Sequence, residues 1–269
     1  MKKRVLGFSG LEPEYPVVFI HENSEKIPLV NGKRFEIHLQ GPGGRANEGN
    51  FLIRVSDFDT MYPGDFVSFS GGVILQSATD HTEPLRMMVS SRGFLSVSST
   101  FEIWQRLQAG ILTVSDKGSH GERVDTSGPA LEAAANAIGA STSQRSIVPD
   151  EISAIKEVLN EWIFQKKLDL ILVTGGTGLS SRDVTPEAIR TLGGKEVPGI
   201  GEYMRWKTSF ENERSILSRS LAVAFGNTLV ISLPGSERGS VQCFNSVAPV
   251  LRHALEILSG RGADCGKPH

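Results

Sequence analysis

The chain has 269 residues, a formal net charge of −2, 39% hydrophobic residues and 22% charged residues, which is ordinary for a globular protein. That length suits one large or two small domains, and the near-neutral charge gives no general attraction to nucleic acid or to an anionic membrane. No apolar run is long enough to span a bilayer and no signal-peptide core follows the first residues, so a cytoplasmic protein is expected.

Cysteine and histidine usage argues against disulfide and transition-metal chemistry. Cys243 falls in an expected helix and Cys265 in a Gly-rich tail, so both are expected to be incidental. The six histidines stand apart, with no H-x-H or H-x-x-x-H pair. A transition-metal centre is therefore not expected.

Residues 1–105 predict a small β-rich domain, either a barrel or a sandwich. Short apolar or alternating runs are separated by turn residues such as Asn31-Gly32, a spacing typical of strands. Only Ser99–Leu107 has a pattern compatible with a helix. The expected strands are Val17–His21, Phe35–Leu39, Phe51–Val55, Phe66–Phe69, Val73–Gln76 and Leu85–Val89.

Residues 106–260 alternate strand and helix patterns, and residues 261–269 predict a loose tail. The alternation indicates an α/β domain with a doubly wound, mainly parallel sheet and a mixed edge, because parallel strands need crossover connections. The expected strands are Ile111–Val114, Ser146–Val148, Leu170–Thr174 and Thr228–Leu233. The expected helices are Gly128–Ile138, Glu151–Lys166, Gly199–Phe210 and Gly239–Leu258.

Polar and glycine residues follow each of these four strands. In open parallel sheets, ligands bind beyond the carboxyl ends of the strands. The four strand ends therefore predict one shared crevice. They are Ser115-Asp116, Pro149-Asp150, Gly175–Gly178 and Pro234-Gly235-Ser236.

The stretch V-T-G-G-T-G-L-S-S-R-D-V-T-P-E, residues 173–187, predicts an anion-binding loop between a buried strand and a helix. Gly175, Gly176 and Gly178 allow positive φ and close approach of backbone N–H groups to phosphate. Thr185 is the expected N-cap, with Pro186 in the first turn. The motif is neither a G-x-x-x-x-G-K-[ST] loop nor a G-x-G-x-x-G fingerprint.

Aspartates at the strand ends suit Mg²⁺ that arrives with phosphate, because this ion needs only one or two protein carboxylates. Asp150 and Asp183 are the candidate ligands, although Asp116 and Asp150 equally fit turn or helix caps. The basic residues that could bind phosphate are Lys117, Arg182, Arg205 and Arg219. Glu202 and Arg205 have the i, i+3 spacing of one helix face.

Eight motifs follow one another between Ala109 and Gly260: I-L-T-V-S-D-K (111–117), D-T-S-G (125–128), V-P-D-E (148–151), V-T-G-G-T-G-L-S-S-R-D-V-T-P-E-A (173–188), G-E-Y-M-R (201–205), L-S-R-S (217–220), G-N-T-L (226–229) and L-P-G-S (233–236). In this order they resemble the molybdopterin adenylyltransferase family of the MogA/MoaB type. The resemblance implies a molybdopterin-binding α/β fold, a homo-oligomer built from trimers, and transfer of AMP from Mg-ATP to the terminal phosphate of molybdopterin with release of pyrophosphate. A downstream metal-insertion protein is an expected partner.

Carried onto matching positions, the resemblance makes Asp150 and Asp183 the catalytic and magnesium-binding carboxylates. The substrate-binding residues that it implies are Ser115, Asp116, Gly175, Gly176, Thr177, Gly178, Thr185, Glu202, Arg205, Ser218, Pro234, Gly235 and Ser236. Two alternatives stay open: a non-catalytic carrier of the pterin cofactor, and a hydrolase of nucleotide pyrophosphate bonds.

The N-terminal half lies outside that resemblance. Its segment Tyr62–Ser77, Y-P-G-D-F-V-S-F-S-G-G-V-I-L-Q-S, faintly resembles part of the β-rich MOSC domains of molybdenum-cofactor handling, and the alternative is an unrelated small barrel. The segment has no cysteine, so sulfur-carrier chemistry is not expected there.

Overall fold

The structure is a computed structural model that describes residues 3–9, 17–22, 28–31, 33–40, 50–55, 61, 64–78, 85–96 and 99–260. It contains two compact units, Met1–Arg106 and Leu107–His269. The predicted tail at residues 261–269 lies outside the described residues.

The N-terminal unit contains a closed β-barrel and a second, four-stranded sheet. The barrel order is β1-β11-β7-β8-β9-β5-β6 and the sheet order is β10-β2-β3-β4. The predicted β-rich, barrel-like domain is therefore confirmed. The strands are β1 (Lys3–Ser9), β2 (Val17–Glu22), β3 (Pro28–Val30), β4 (Lys33–Arg34), β5 (Glu36–Gln40), β6 (Asn50–Val55), β7 (Phe66–Phe69), β8 (Ile74–Ser77), β9 (Leu85–Ser91), β10 (Gly93–Ser96) and β11 (Thr100–Trp104).

The helix predicted at Ser99–Leu107 is wrong. Most of the segment, Thr100–Trp104, forms β11, which pairs antiparallel with both β7 and β1. Phe101 is buried and its ring centroid lies 5.6 Å from that of Phe69. Barrel closure therefore outweighs a weak local helical pattern, because it pairs the strand on both sides and buries its aromatic side chain.

The C-terminal unit is built on a six-stranded sheet of order β13-β12-β14-β17-β16-β15. The first four strands in this order are parallel, and β16 and β15 continue antiparallel at one edge. This confirms the predicted parallel sheet with a mixed edge. The strands are β12 (Leu107–Val114), β13 (Ala140–Val148), β14 (Leu170–Thr174), β15 (Lys195–Glu196), β16 (Ala222–Phe225) and β17 (Thr228–Leu233).

Helices cover both faces of this sheet, as parallel sheets require. One buried cluster packs α2, α5 and α6 on the sheet, and another packs α3 and α4 on the opposite face. Of the helices described, none is long and apolar enough to cross a bilayer. The helices are α1 (Asp116–Ser119), α2 (Ser127–Asn136), α3 (Ile152–Asn160, continued by a π-helical turn, Glu161–Gln165), α4 (Thr185–Arg190), α5 (Pro198–Ser209) and α6 (Glu237–Leu258), with a 3₁₀ turn at Glu213–Leu217.

Strand register places the predicted loops side by side. Val114 of β12 pairs with Val148 of β13, and Thr174 of β14 pairs with Thr113 and Leu233 of the strands on either side. The four parallel strands therefore end at nearly the same level. The predicted convergence of four strand ends at one edge is present.

Candidate active site

Gly175 is the point at which β14 turns into the glycine loop. Its φ is +105°, and a Cβ atom there would lie 2.1 Å from the carbonyl oxygen of Val114. Its N–H donates to the carbonyl oxygen of Leu233 at 3.1 Å. The loop therefore starts in a conformation, and at a distance from the neighbouring strand, that only glycine allows.

The start of α4 ties the loop from the other side. Thr185 Oγ1 donates to the carbonyl oxygen of Gly175 at 2.9 Å, and Thr185 N donates to that of Gly176 at 3.1 Å. Val184, not Thr185, holds the N-cap position, so the predicted cap is wrong by one residue. The buried hydroxyl of Thr185 is used to satisfy a loop carbonyl instead, and Pro186 keeps its place in the first turn.

Asp183 lies within the same loop and partly out of solvent. Its Oδ2 accepts a hydrogen bond from Ser180 N at 2.8 Å, and a Cβ atom on Gly178 would lie 2.9 Å from that oxygen. The loop backbone thus packs directly against the carboxylate. A side chain at position 178 would push Asp183 from this position.

Asp116 and Asp150 join the ends of β12 and β13 reciprocally. Asp116 N donates to Asp150 Oδ2, and Asp150 N donates to Asp116 Oδ1, both at 3.0 Å. The capping alternative is wrong for both residues, because Ser115 caps α1 and Glu151 holds the N-cap position of α3. The carboxylates instead fix two predicted loops against each other.

The pKa values of these two carboxyl groups are shifted in opposite directions. Burial, with the charges of Asp116 and Asp183, raises the pKa of Asp150, and the backbone N–H of Asp116 opposes that shift. Hydrogen bonding from Arg182 lowers the pKa of Asp116, as does the backbone N–H of Asp150. Ionised Asp150 therefore lies where a nearby cation would stabilise it.

The three arginines predicted as phosphate ligands are engaged within the protein. Arg182 forms a bidentate pair with Asp116, with Nη2 to Oδ1 at 2.7 Å and Nε to Oδ2 at 3.2 Å. Arg205 Nη1 donates to the carbonyl oxygens of Ser220 at 2.8 Å and Ser218 at 3.4 Å. Arg219 donates to the glycine loop, and the fourth predicted cation, Lys117, is exposed.

Arg219 contacts the glycine loop at several points. Its Nε donates to the carbonyl oxygen of Gly178 at 2.7 Å, its Nη2 donates to that of Asp183, and its Nη1 pairs with Glu187. Its backbone N donates to the carbonyl oxygen of Thr177 at 2.9 Å. One residue thereby holds both ends of the Thr177–Asp183 segment.

The loop after β17 leads into the 22-residue helix α6. Thr174 Oγ1 donates to the carbonyl oxygen of Pro234 at 2.7 Å, and Ser127 Oγ donates to that of Gly235 at 3.1 Å. Ser236 caps the helix, since its hydroxyl accepts from Gly239 N at 3.2 Å. The positive end of a long helix therefore lies at the crevice, as in many anion-binding sites.

A pocket of about 540 Å³ opens between the glycine loop, α5, the 3₁₀ turn and the start of α6. This volume falls in the range of small-molecule sites. Eight predicted site residues line it: Gly176, Thr177, Gly178, Asp183, Ser218, Pro234, Gly235 and Ser236. The lining residues that sequence reasoning missed are Leu179, Thr208, Asn212, Arg214, Ser215, Leu217, Gly239, Gln242 and Cys243.

Two signals could have found part of this set. Gly239, Gln242 and Cys243 recur at helical spacing in the first turns of α6, just after the predicted Ser236. Asn212 is a recognisable cap residue, and it caps the 3₁₀ turn by accepting from Arg214 N at 3.2 Å. Leu179 follows Gly178 in the glycine loop itself. The other missed residues lie on α5 and the 3₁₀ turn, which follow none of the four predicted strand ends, so the strand-end argument could not reach them.

The other predicted residues lie outside this pocket lining. Ser115, Asp116, Asp150, Gly175 and Thr185 form the packed flank described above, and Arg205 holds the Ser218–Ser220 segment. Glu202 is exposed on α5, and among the described contacts it has no ion pair with Arg205. Arg205 donates to backbone carbonyls instead, which removes the expected intrahelical pair.

Comparison with known proteins agrees with this geometry. The model of a family described as "Probable molybdopterin binding domain" matches residues 110–253, which is more than half of the chain. The chain belongs to this family. The matched residues include all four parallel strand ends and the pocket.

Named relatives match the same part of the chain. The chain is 32% identical over 158 residues to the molybdopterin adenylyltransferase of Helicobacter pylori strain J99, covering 58% of this chain and 90% of that protein. It is 41% identical over 150 residues to the molybdenum cofactor synthesis protein cinnamon of Drosophila melanogaster, covering 55% of this chain. The match spans only 25% of cinnamon's length.

The solved structure of the molybdopterin biosynthesis enzyme MoaB from Thermus thermophilus shares the fold. The identity is 44% and the TM-score is 0.56, and the match covers 59% of this chain and 99% of that one. The predicted MogA/MoaB-type fold and family are therefore confirmed for the C-terminal unit.

Proposed function

We propose that the C-terminal unit transfers AMP from Mg-ATP to the terminal phosphate of molybdopterin. The observation that supports this most is the meeting of the glycine loop, Asp150 and Asp183 at one sheet edge, where a Cβ atom on Gly176 would lie 3.1 Å from Asp150 Oδ1, within a domain of the matched family. A relative matched over 90% of its own length is named a molybdopterin adenylyltransferase. In this reaction an oxygen of the pterin phosphate bonds to the α-phosphorus of ATP. The bond from that phosphorus to the oxygen bridging the α- and β-phosphates breaks, and pyrophosphate leaves.

The donor set fits Mg²⁺ that arrives with its nucleotide. Within the described ranges, no group of three or more His, Cys, Asp or Glu side chains could hold a metal ion. Mg²⁺ bound with a nucleotide needs only one or two protein carboxylates, and Asp150 and Asp183 would supply them beside phosphate and water oxygens. When bound, Mg²⁺ would neutralise charge that develops on the phosphates.

The chain's own residues supply position and a fixed polar environment. The glycine loop and the N-terminus of α6 line the pocket, and their backbone N–H groups would stabilise phosphate oxygens without reorganising. Asp150 and Asp183 would bind the metal ion, and Arg219 anchors the loop backbone that contains Asp183. Phosphoryl and nucleotidyl transfer need mainly such positioning, so no protein nucleophile is required.

The test is direct formation of adenylylated molybdopterin from Mg-ATP and molybdopterin, followed by chromatography and mass spectrometry. We expect product with the wild type and at least ~10²-fold less with Asp183→Asn, because one metal-binding carboxylate is lost. Glu157→Gln is the matched control, since Glu157 is exposed on α3. Chelation of Mg²⁺ should stop the reaction in every variant.

Other outcomes separate the alternatives. Pterin binding without any adenylate would favour a carrier, and cleavage of dinucleotides by water into two mononucleotides would favour a hydrolase of pyrophosphate bonds. Four expectations from the sequence stay predictions: the trimer, the downstream metal-insertion partner, the cytoplasmic location and the MOSC-like character of Tyr62–Ser77. We assign the adenylylation to residues 106–260 and treat residues 1–105 as a separate domain.

A further inference from the structure

Arg214 differs from the arginines that the sequence analysis selected. Within the part of the chain that the structure describes, Arg182, Arg205 and Arg219 all donate to protein acceptors. The Arg214 side chain has no such hydrogen bond or ion pair among the described residues, and only its backbone N is engaged. Its guanidinium is therefore available to an external acceptor.

Arg214 also lies on the wall of the pocket. Of the described residues that line this 540 Å³ pocket, it is the one cation, and Asp183 is the one anion. The rest of the wall consists of glycine, hydroxyl, amide, thiol and apolar groups. A ligand with several negative charges would therefore find its side-chain cation at position 214.

The backbone around Arg214 is anchored. Asn212 Oδ1 accepts from Arg214 N at 3.2 Å, and Ser215 N donates to the carbonyl oxygen of Asn212 at 3.0 Å. Ser218 N donates to the carbonyl oxygen of Ser215 at 3.1 Å, so the turn connects to the segment held by Arg205. The long side chain of Arg214 thus leaves a fixed turn at the pocket wall.

We infer that Arg214 binds a phosphate group of the ligand in this pocket, as a residue that sets affinity for phosphorylated substrates. The inference rests on the proposed function, which brings two phosphorylated molecules to the pocket: ATP and a pterin phosphate. Guanidinium has the planar donor geometry that pairs with two phosphate oxygens, whereas the loop N–H groups and the α6 N-terminus supply only partial charges.

The test is isothermal titration of the full chain with three probes: inorganic pyrophosphate, ATP and molybdopterin, the last with its dephosphorylated form as a comparison. Arg214→Gln is expected to weaken binding of at least one phosphorylated probe by about tenfold or more, the effect of losing one charged hydrogen bond. Arg214→Lys should bind with intermediate affinity, because it keeps the charge but loses the bidentate geometry. Binding of dephosphorylated pterin should not change.

Arg190→Gln is the matched control. It removes the same charge from an exposed arginine that pairs with Glu196 at 2.8 Å and does not line the pocket. An equal loss of affinity in this control would overturn the inference, because the effect would then come from net charge. Unchanged affinity of Arg214→Gln for all three phosphorylated probes would also overturn it.

The arms of the titration distinguish the sources of the phosphate. A loss confined to ATP and pyrophosphate assigns Arg214 to the nucleotide, and a loss confined to molybdopterin assigns it to the pterin. If the wild type forms no adenylylated pterin while its phosphate binding still depends on Arg214, the proposed reaction fails and this inference stands. If adenylylation and phosphate binding are both normal in Arg214→Gln, only this inference fails.

Discussion

Replacing Arg219 with methionine tests whether one side chain holds the glycine loop. Methionine keeps an unbranched stem but loses the donors to the carbonyl oxygens of Gly178 and Asp183 and the pair with Glu187. At about 1.5 kcal/mol for each charged hydrogen bond, the lower end of the usual range, the two carbonyl contacts together stabilise the fold by about 3 kcal/mol. The Glu187 pair is partly exposed and adds at most about 1 kcal/mol.

The expected consequences are measurable by calorimetry and by adenylylation kinetics. A loss of about 3 kcal/mol lowers the melting temperature by about 6–12 °C for a unit of this size. Released carbonyls let Asp183 move, and a misplacement of about 1 Å lowers kcat by about 10²-fold. Arg190→Met is the control, because it removes only an exposed ion pair. If Arg219→Met melts within about 2 °C of that control, a shift well below the one expected, and keeps its kcat, Arg219 does not hold the loop.

Two further predictions concern the residues beside the loop. In a denaturant titration, the free energy of unfolding of Gly175→Ala should be at least about 2 kcal/mol lower than that of Gly226→Ala. Both glycines have positive φ, but only a Cβ atom at position 175 would contact a backbone carbonyl. Equal losses of stability in the two variants would contradict this reasoning. In chelator, Asp150→Asn should be at least as stable as the wild type at pH 7, because the raised pKa of Asp150 means that ionising it destabilises the fold. The difference in stability between the variant and the wild type should shrink as the pH falls through the pKa of Asp150 in the folded state towards its value in the unfolded state. A difference that grows on acidification would show that the pKa of Asp150 is not raised by folding.

The alternation of short apolar strands with amphipathic helices was sufficient to predict the parallel sheet. Strand periodicity and crossover geometry are local or nearly local properties, so β14 and β17 were predicted with their observed ends. The edge strand β13 begins at Ala140, well before the predicted Ser146. Its Ala140–Gln144 half carries mainly polar side chains at intermediate or exposed positions, and this leaves little apolar signal.

The direction of a long side chain is not a local property. The sequence placed Arg182, Arg205 and Arg219 near the crevice, but the fold brings backbone carbonyls or a carboxylate within reach of each one. Buried carbonyls need donors, so these arginines are used inside the protein. Arg214 had no sequence signal because the turn that carries it follows a helix and no strand end.

By itself, the sequence determined the α/β class, the four strand ends, the glycine loop and the two aspartates, because each depends on periodicity, turn chemistry or residue type over a few positions. Only the tertiary structure decided which groups meet. Asp116 and Asp150 are far apart in the chain but bond to each other reciprocally. The 3₁₀ turn is likewise far from the glycine loop in the chain, yet both line the same pocket. Such pairings depend on strand order and register, and these are set by packing of the whole sheet.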